Sequence, residues 1–450
     1  MLTDASIHER GYQTAMNVAT ATATTNAHRG TDADLAAIAA RAAIPSLAPG
    51  KRKTVVVAMS GGVDSAVTAL LLRDAGYHVI GITMHLYSGD EDGAIACGTG
   101  SCCGLEGVED ARAICQTLGI PFYPLNFERQ FEQHVIAPFA QSYAEGRTPN
   151  PCLNCNRHLK FAALLGRAIG MGADYLATGH YANVRRDPDG TCRLFRAADP
   201  AKDQSSVLYT FSQQQLTRTL FPLGPLTKPE VRALARAHGL PVAEKPESMD
   251  ICFVPDGNYA KIVAERHPEA FVPGEIVDTR GIVLGQHQGI GHYTVGQRRG
   301  LRIAAAERRY VVALRVEGNQ VVIGTEADLN TTALVADDVQ FIADMPPTEP
   351  VAVEAMVRYR STPMHATLTR GIAGTAGTAR LAFAEGFSQP AATPGQAVVF
   401  YRGDEVLGGG TIRSVERGAG WVPTADDLAG TQPAAFLAVI ALDDLAVIAD

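Results

Sequence analysis

Two cysteine-containing segments, far apart in the chain, have the composition of reactive thiol sites. The first is TPNPCLNCN, whose two prolines stiffen a loop that leads to Cys155. The second is SMDICF, which contains Cys252. One nucleophilic thiol and one thiol that carries sulfur as a persulfide suffice for sulfur transfer. The terminal persulfide sulfur attacks an activated carbon, and the partner thiol then breaks the S–S bond. Cys155 and Cys252 are therefore candidate catalytic residues.

The surroundings of Cys155 favour its thiolate form. We expect a helix to begin near Leu159, so that Cys155 lies just before the positive end of that helix. Arg157 and Lys160 add positive charge nearby. Both effects stabilise a thiolate, which is the nucleophilic form of cysteine.

Other interpretations of the cysteines stay open. Cys252 could be a small core residue. The C-x-x-C pair Cys152 and Cys155, with the adjacent Cys102 and Cys103, could hold zinc or an iron–sulfur cluster. Zinc would need a second C-x-x-C at suitable spacing, which the sequence lacks. We therefore predict no metal site and do not favour a cluster.

A glycine-rich turn has the features of a phosphate-binding loop. Adjacent glycines let the backbone approach phosphate oxygens, serines add hydroxyl donors, and the following helix directs free N–H groups at the anion. Asp64 would repel phosphate, so we expect it to orient the loop or to hold Mg²⁺ against pyrophosphate. A plain glycine turn is the alternative, which the full SGGVDS motif disfavours. The loop residues are Ala58, Met59, Ser60, Gly61, Gly62, Val63, Asp64 and Ser65.

Along the part of the chain that must position these sites, short apolar runs alternate with segments of helical periodicity. Such alternation predicts an α/β fold, with an open parallel sheet, helices on both faces and ligands at the carboxyl ends of the strands. The predicted strands are Thr54–Met59, His78–Met84, Pro121–Phe127 and Ala173–His180, and the predicted helices are Val63–Asp74, Val108–Leu118 and Leu159–Ile169.

The remaining chain divides into further regions by composition. From Gly274 onward, short alternating segments broken by Gly and Pro predict a β-barrel or a pair of small barrels. The Ala- and Thr-rich N-terminus predicts disorder, with one short helix near Asp34–Ala43. The predicted regions are a disordered N-terminal extension (1–50), the nucleotide-binding domain (51–215), a small helical central domain containing a helix at Lys228–His238 (216–272), the β-barrel region (273–413) and an acidic, apolar tail (414–450).

Composition bounds the possible functions. Hydrophobic residues make up 46% of the 450 residues and charged residues 19%, which predicts a folded chain with a real core. We find no apolar run of membrane-spanning length and no signal-peptide pattern, so the expected compartment is the cytoplasm. The net charge is −8, of which the acidic residues of the last thirty positions hold −5. Charge alone neither supports nor excludes RNA, because the contact region matters more than the total.

The glycine-rich segment resembles the PP-loop of ATP pyrophosphatases, which attach AMP to a substrate oxygen and release pyrophosphate. Seven segments resemble the bacterial tRNA-specific 2-thiouridylases and occur in the order found there: SGGVDS, TPNPCLNCN, ATGHYA, KDQS, SMDICF, HQGIGHYTVGQRRGL and PGQAVVFY. The resemblance runs from about Lys53 to about Arg413. It implies a PP-loop domain, a helical central domain and a C-terminal β-barrel. It also implies 2-thiolation of the wobble uridine of tRNAs for lysine, glutamate and glutamine.

The resemblance also implies roles for single residues. Cys155 corresponds to the nucleophile and Cys252 to the persulfide carrier. The implied substrates and partners are ATP with Mg²⁺, tRNA and a persulfide sulfur donor, which would be a sulfur-relay protein or a cysteine desulfurase. The implied ATP contacts are Ala58–Ser65, Met84 and Gly179, the target-base loop is Asn150, Pro151 and Cys152, and the implied tRNA contacts are His180, Lys202, Asp203, Gln204, Arg358, Tyr359 and Gln396.

This chain departs from the family pattern in two ways. Some family members carry Asp where this chain has Cys152, so any proton transfer that such a carboxylate provides must come here from another group or from water. Residues 1–50 and 414–450 lie outside the similarity. Three alternative functions stay open at this point. They are a PP-loop ligase or amidotransferase on a small metabolite, an iron–sulfur-dependent tRNA thiolase, and a cluster-bearing RNA-binding protein that does not catalyse.

Overall fold

The computed structural model describes residues 31–86, 105–246, 251–254, 257–343, 346–359, 361–371, 377–384 and 392–417. Within these ranges, no helix has the length and apolar character needed to cross a membrane. The helices are α1 (Asp32–Ala40), α2 (Val63–Asp74), α3 (Leu105–Leu118), α4 (Glu128–Phe131, Glu132–Ile136 and Ala137–Ala144 in succession), α5 (Pro151–Asn154, Cys155–Leu164 and Leu165–Gly170 in succession), α6 (Gln213–Leu216), α7 (Lys228–Ala237) and α8 (Tyr259–Arg266). The strands are β1 (Thr54–Ala58), β2 (His78–His85), β3 (Phe122–Asn126), β4 (Tyr175–Ala177), β5 (Asn183–Arg186), β6 (Cys192–Phe195), β7 (Thr219–Leu220), β8 (Gly274–Asp278), β9 (Val283–His287), β10 (Tyr310–Arg315), β11 (Gln320–Gly324), β12 (Thr331–Phe341), β13 (Val351–Met356), β14 (Met364–Arg370), β15 (Ala379–Phe383), β16 (Ala397–Arg402) and β17 (Glu405–Arg417).

The centre of the first domain is a five-stranded sheet in the order β3-β2-β1-β4-β7, in which all pairs are parallel. Successive side chains of β1 enter two different cores. Val55 and Val57 pack with residues of α2, α3 and α7, whereas Val56 packs with residues of α4 and α5. This alternation follows from the period of two in a strand. The predicted open parallel sheet with helices on both faces is therefore confirmed.

The predicted elements agree with this sheet at its centre and differ at its ends. The helix predicted at Val63–Asp74 has those bounds. The strand predicted at Ala173–His180 is only Tyr175–Ala177, because its neighbours β1 and β7 pair with these residues alone. The segment after β4 leaves the sheet at its carboxyl end, where ligands bind in folds of this type.

The short helix predicted near Asp34–Ala43 is present as α1 (Asp32–Ala40), and residues 31–50 pack on the core instead of forming a disordered extension. Thr31 and Asp34 form a reciprocal capping box at the start of α1, and Leu35, Ile38 and Leu47 pack against the core of α2 and α7. The hydroxyl of Tyr77 also donates a hydrogen bond to a carbonyl of this segment, at 2.8 Å. Burial of these apolar side chains offsets the entropy of ordering the segment. Residues 1–30 lie outside the described residues.

The boundary predicted at residue 215 also differs from the structure. Strand β7 completes the parallel sheet, and Val231 and Leu234 of α7 are buried against α2. The hydrophobic period of α7 therefore serves the nucleotide-binding sheet rather than a separate helical unit. In the described part of residues 216–272, only α8 and a short 3₁₀ turn at Pro268–Phe271 follow this helix.

The β-rich region contains two sheets. Strands β8 to β11 form a four-stranded sheet, and β12 to β17 form a six-stranded barrel closed by antiparallel pairing of β12 with β17. The predicted β region from Gly274 is thus confirmed, and β17 continues past the predicted end at residue 413 to Arg417. The hairpin β5–β6 of the first domain extends the barrel sheet by pairing with β17. The tail after Arg417 lies outside the described residues.

Candidate active site

The turn between β1 and α2 is shaped to admit an anion. Gly62 caps α2 without any side-chain hydrogen bond, so the first N–H groups of the helix remain directed at the turn. Gly61 has φ +72°, and a Cβ at this position would lie 2.5 Å from the carbonyl oxygen of Gly107. Ser65 Oγ accepts a hydrogen bond from the N–H of Ser60 at 3.2 Å, which draws the turn together. These features fit the phosphates of a nucleotide.

Neighbouring strand ends surround this turn. A Cβ on Gly179 would lie 2.8 Å from the backbone of Asp64, so only glycine allows the segment after β4 to approach α2. Thr83 Oγ1 donates to the carbonyl of Met59 at 2.9 Å, which joins β2 to the start of the turn. Met84 is the next residue of β2. The structure therefore brings Ala58–Ser65, Met84 and Gly179 together at the carboxyl end of the sheet, as the resemblance implies.

Asp64 is held by two residues that sequence reasoning missed. Lys228 Nζ lies 2.6 and 2.7 Å from the two carboxylate oxygens, and the hydroxyl of Tyr181 donates to the carboxylate at 2.8 Å. The Lys228 side chain is only 9% exposed. Of the two roles predicted for Asp64, this geometry favours orientation of the loop. Lys228 is also the first residue of α7, where the helix dipole disfavours a cation. A lysine at this position was therefore a signal in the sequence for an acidic partner.

Helix α5 begins earlier than predicted, which changes the setting of Cys155. Asn150 caps the helix by accepting a hydrogen bond from the N–H of Cys152 at 3.1 Å, and Pro151 occupies the first helical position. The predicted start at Leu159 is therefore wrong. Cys155 lies inside the helix and is partly buried, whereas Cys152 lies in the first turn and is exposed. The helix dipole acts more strongly on Cys152 than on Cys155 because its effect is confined to the first turn.

The two candidate catalytic thiols pack against the same hydrophobic core. Cys155 and Cys252 are both partly buried against this core, as is Met84 from the nucleotide side. Phe253, next to Cys252, is buried with its ring 5.6 Å from that of Phe131 and 5.2 Å from that of Phe139, both on α4. Both thiols therefore contact the large core on one face of the sheet, which Ala58 and Met84 also contact. Ser248, Met249 and Asp250 of the SMDICF motif lie outside the described residues.

Helix α4 contacts both the segment that contains Cys155 and the segment that contains Cys252. Besides holding Phe253, it presents His134, whose ring stacks on that of His158 of α5 with centroids 4.9 Å apart. Burial above all, and then the stacked His134 and the positively charged Arg157, lower the pKa of His158. A neutral His158 avoids repulsion within the stack, so the contact between α4 and α5 persists at neutral pH.

The C-terminal barrel contacts the segment that immediately precedes Asn150. The side-chain amide of Gln396 donates to the carbonyls of Thr148 at 2.9 Å and of Pro149 at 3.4 Å. The N–H of Thr148 donates in return to the carbonyl of Pro394, at 2.9 Å. Gly395 has φ +92°, and a Cβ there would lie 2.8 Å from the backbone of Thr148. Gln396 therefore positions the loop that precedes Asn150, a role that sequence similarity did not imply.

Replacing Gln396 by leucine is expected to lower by about tenfold the single-turnover rate of the tRNA thiolation that the resemblance implies. The substitution keeps the volume but removes hydrogen bonds worth about 1 kcal/mol each, and small displacements of a reacting loop are costly. Affinity for tRNA should change by less than about threefold, because the amide is directed at the protein. The control is Gln286→Leu, at an exposed position of β9. Weaker tRNA binding with an unchanged rate would instead assign Gln396 to RNA contact.

The turn at Lys202–Gln204 is organised by contacts within the protein. The Asp203 carboxylate accepts hydrogen bonds from the N–H groups of Ala197 and Ser205 at 3.0 and 3.1 Å. Gln204 Oε1 accepts from the N–H of Tyr181 at 3.0 Å, which ties the turn to the ATGHYA segment. Asp203 and Gln204 thus shape the turn, and Lys202 is half-buried beside them.

The other implied tRNA contacts differ in character. His180 Nδ1 lies 2.7 Å from Thr178 Oγ1. Burial, and then the charge of Lys160, hold the pKa of His180 well below 6.5, so the imidazole is neutral and suits stacking or hydrogen bonding rather than ion pairing with phosphate. Arg358 and Tyr359 are exposed just after β13. An exposed guanidinium and an exposed ring are suited to a phosphate and an unpaired base.

A metal centre has no support among the described residues. No group of three or more His, Cys, Asp or Glu side chains in these ranges could hold an ion. Cys97, Cys102 and Cys103 lie outside the described residues. Cys152 and Cys155 therefore have no described third ligand for zinc or a cluster.

Comparison with known proteins gives matches over most of the chain. Family models match as a tRNA methyl transferase HUP domain over residues 53–256, a tRNA methyl transferase PRC-barrel domain over residues 260–325 and an aminomethyltransferase beta-barrel domain over residues 331–412. The chain is 49% identical to the tRNA-specific 2-thiouridylase MnmA of Carboxydothermus hydrogenoformans, over 80% of this chain and 98% of that protein. It is 50% identical to that of Moorella thermoacetica, over 80% of this chain and 99% of that protein.

One solved structure matches about half of the chain at low similarity. The U34-tRNA thiolase NcsA from Methanococcus maripaludis with its 4Fe-4S cluster is 17% identical, covers 52% of this chain and 73% of that chain, and gives a TM-score of 0.33. At this level the likeness carries no argument about a cluster or a substrate.

The parallel sheet and its anion-binding glycine turn define a nucleotide-binding domain of the PP-loop class. Sequence identities of 49% and 50%, over almost the whole length of these two relatives, assign the chain to one family within this class. The chain belongs to the tRNA-specific 2-thiouridylase family. The methyl transfer named in the descriptions of two family models is not the activity for which these relatives are named.

Proposed function

We propose that this protein uses ATP to replace the C2 oxygen of the wobble uridine by sulfur in tRNAs for lysine, glutamate and glutamine. The observation that carries the proposal is the shared core against which Met84, Cys155 and Cys252 pack. A nucleotide loop and two thiols on one side of a sheet fit a reaction that activates an oxygen and then substitutes it with sulfur. Membership of the 2-thiouridylase family supports the same reaction.

Activation comes first. The uridine C2 oxygen attacks the α-phosphorus of ATP, and pyrophosphate leaves. The N-terminus of α2 and the serine hydroxyls of the loop stabilise the charge on the departing pyrophosphate. Lys228 and Tyr181 keep the Asp64 carboxylate oriented in this loop. Mg²⁺ bound by the phosphates is part of the proposal, since it neutralises charge on a leaving pyrophosphate.

Sulfur transfer follows on the adenylated base. Cys252 carries a persulfide, whose terminal sulfur attacks C2 and displaces AMP, so that the base is joined to Cys252 through a disulfide-type S–S bond. The Cys155 thiolate then attacks Cys252 Sγ. This step releases the 2-thiouridine and leaves a Cys155–Cys252 disulfide, which an external thiol reduces. A cysteine desulfurase or a sulfur-relay protein in the cytoplasm restores the persulfide on Cys252.

Several residues are proposed to hold the tRNA. Asn150, Pro151 and Cys152 lie beside the target base at the start of α5, where Cys152 occupies the position at which some family members carry Asp. Water or another group supplies any proton transfer that such a carboxylate provides. His180, Lys202, Arg358 and Tyr359 are proposed as RNA contacts, whereas Asp203, Gln204 and Gln396 shape the surfaces that carry them.

One experiment tests the reaction directly. Purified protein is incubated with unmodified tRNA transcripts for lysine, glutamate and glutamine, ATP, Mg²⁺ and a persulfide donor, and the digested nucleosides are analysed by mass spectrometry. We expect 2-thiouridine in all three tRNAs and one AMP for each base modified. A tRNA for alanine is the control. Formation of AMP without RNA, with no 2-thiouridine in any tRNA, would instead favour a ligase that acts on a small metabolite.

A further inference from the structure

A cationic segment lies between the 3₁₀ turn at Ile290–His292 and strand β10, and nothing in the reaction proposed above uses it. This arginine loop comprises residues 297–309, QRRGLRIAAAERR. It holds five arginines against one glutamate, a local net charge of +4 in a chain whose net charge is −8. Such a reversal of sign at one place creates a local positive potential, which attracts polyanions.

The arginine loop is anchored firmly to the four-stranded sheet. Leu301 is buried in the core of this sheet together with Tyr293 and Ile290. The Gln297 side chain accepts a hydrogen bond from the N–H of Thr294 at 3.1 Å and donates to the carbonyl of Arg299 at 3.0 Å. Backbone hydrogen bonds join both Gly296 and Gln297 to Val311. The arginines are therefore presented from a fixed backbone.

The arginines themselves face solvent. Arg298, Arg299, Arg302 and Arg308 are exposed. No ion pair of these four is found in the described part of the chain, where the one carboxylate of the segment, Glu307, pairs with Arg309 at 3.0 Å. Four uncompensated guanidinium groups on one segment repel each other, and an anionic partner relieves that repulsion.

The position of the arginine loop relates it to the target-base loop. Ala144, at the end of α4, packs against the core of the four-stranded sheet that contains Leu301, and the adjacent Tyr143 stacks on Tyr259 of α8 with ring centroids 4.2 Å apart. Tyr143 lies near the end of α4, seven residues before Asn150, so the chain between them spans at most about 25 Å. A separation of this size corresponds to several base pairs of a duplex, since in DNA the phosphates along one strand follow each other about every 3.4 Å of the axis. The arginine loop is therefore within reach of a helical arm whose loop lies at Asn150.

We propose that the arginine loop binds backbone phosphates of the substrate tRNA, on the helical stem beyond the nucleotides at the active site. The inference rests on the proposed function for the identity of the RNA. Arginine is suited to this contact because its planar guanidinium binds phosphate in a bidentate manner. Contacts of this kind position the RNA without reading its sequence.

The test compares two triple variants that remove the same charge. Arg298→Gln, Arg299→Gln and Arg308→Gln are combined in one protein. The control combines Arg186→Gln, Arg280→Gln and Arg402→Gln, three exposed arginines elsewhere. Dissociation constants for full-length tRNA are measured for both variants and the wild type between 50 and 300 mM KCl. Circular dichroism melting checks that each variant is folded.

We expect the arginine-loop variant to bind tRNA at least about tenfold more weakly than the wild type near 150 mM KCl. The slope of its plot of log K against log salt concentration should be smaller in magnitude by about two to three. The control variant should retain the wild-type slope. An arginine-loop variant with the wild-type slope would overturn the proposal. So would normal tRNA binding combined with a thiolation defect that appears only with a protein sulfur donor and not with free sulfide, since the loop would then bind that protein. If tRNA binding depends on the loop but no 2-thiouridine forms, the surface stands and the proposed reaction fails.

Discussion

Cys252→Ser is expected to abolish 2-thiouridine formation, with a loss of at least about a thousandfold, while ATP binding stays within about twofold of the wild type. Serine is nearly isosteric with cysteine, and residue 252 is only partly buried, so the fold should tolerate the change. A hydroxyl cannot carry a persulfide, however, and sulfur then has no route to the activated base. Adenylation uses the loop at Ala58–Ser65 and does not involve the Cys252 thiol, so pyrophosphate release in the presence of tRNA should continue.

Cys155→Ser should fail at a later step, which distinguishes the two thiols. Without Cys155 the S–S bond that joins the tRNA to Cys252 is not broken, so a covalent protein–tRNA adduct accumulates when no reductant is present. The adduct is measured on a denaturing gel, and dithiothreitol should release it. Cys252→Ser should form no adduct. Cys192→Ala, which removes a buried sulfur from β6, is the control and should keep full activity. Full sulfur transfer by Cys252→Ser would exclude the persulfide role of this residue.

Lys228→Met is expected to weaken ATP binding and to slow adenylation by about tenfold to a hundredfold. The substitution leaves the Asp64 carboxylate, which is a third exposed, without the cation that contacts both of its oxygens. An uncompensated carboxylate beside the phosphate turn repels ATP and no longer keeps one orientation. Stability should fall by about 2 kcal/mol, less than for a fully buried ion pair because solvent screens Asp64.

A double-mutant cycle separates charge from position. Asp64→Asn combined with Lys228→Met removes both charges, so this variant should regain most of the lost stability and should melt above Lys228→Met alone. Adenylation should remain slow, since the loop still lacks its fixed carboxylate. Lys53→Met is the matched control, because the Lys53 ammonium, before β1 and away from the phosphate turn, contacts the hydroxyl and ring of Tyr175 among the described residues. ATP affinity and pyrophosphate release equal to wild type in Lys228→Met would show that the pair has no part in activation.

Local sequence patterns predicted the nucleotide side of the site well. The strand β1, the glycine turn and helix α2 follow from a run of β-branched residues, two glycines and a helical period, all within about twenty residues. The start of α5 is also encoded locally, since Asn150 and Pro151 form a capping pattern ahead of the hydrophobic period at Leu159. The packing of the N-terminal helix α1 could not be predicted, because its core partners lie on α2 and α7, far along the chain.

The chemistry of this protein was determined by its sequence, because the glycine turn and the two thiol segments are local motifs whose residue types limit the reactions they can perform. Tertiary structure alone decided which side chains serve those motifs. Lys228 lies 164 positions from Asp64, and Gln396 lies 248 positions from Thr148. Neither Lys228 nor Gln396 can be recognised as a contact residue from the local hydrophobic periodicity. Each contact forms between elements that pack together only when the sheet, barrel and loops are assembled. The same assembly places Cys155 and Cys252 against one core, which their spacing in the chain could not show.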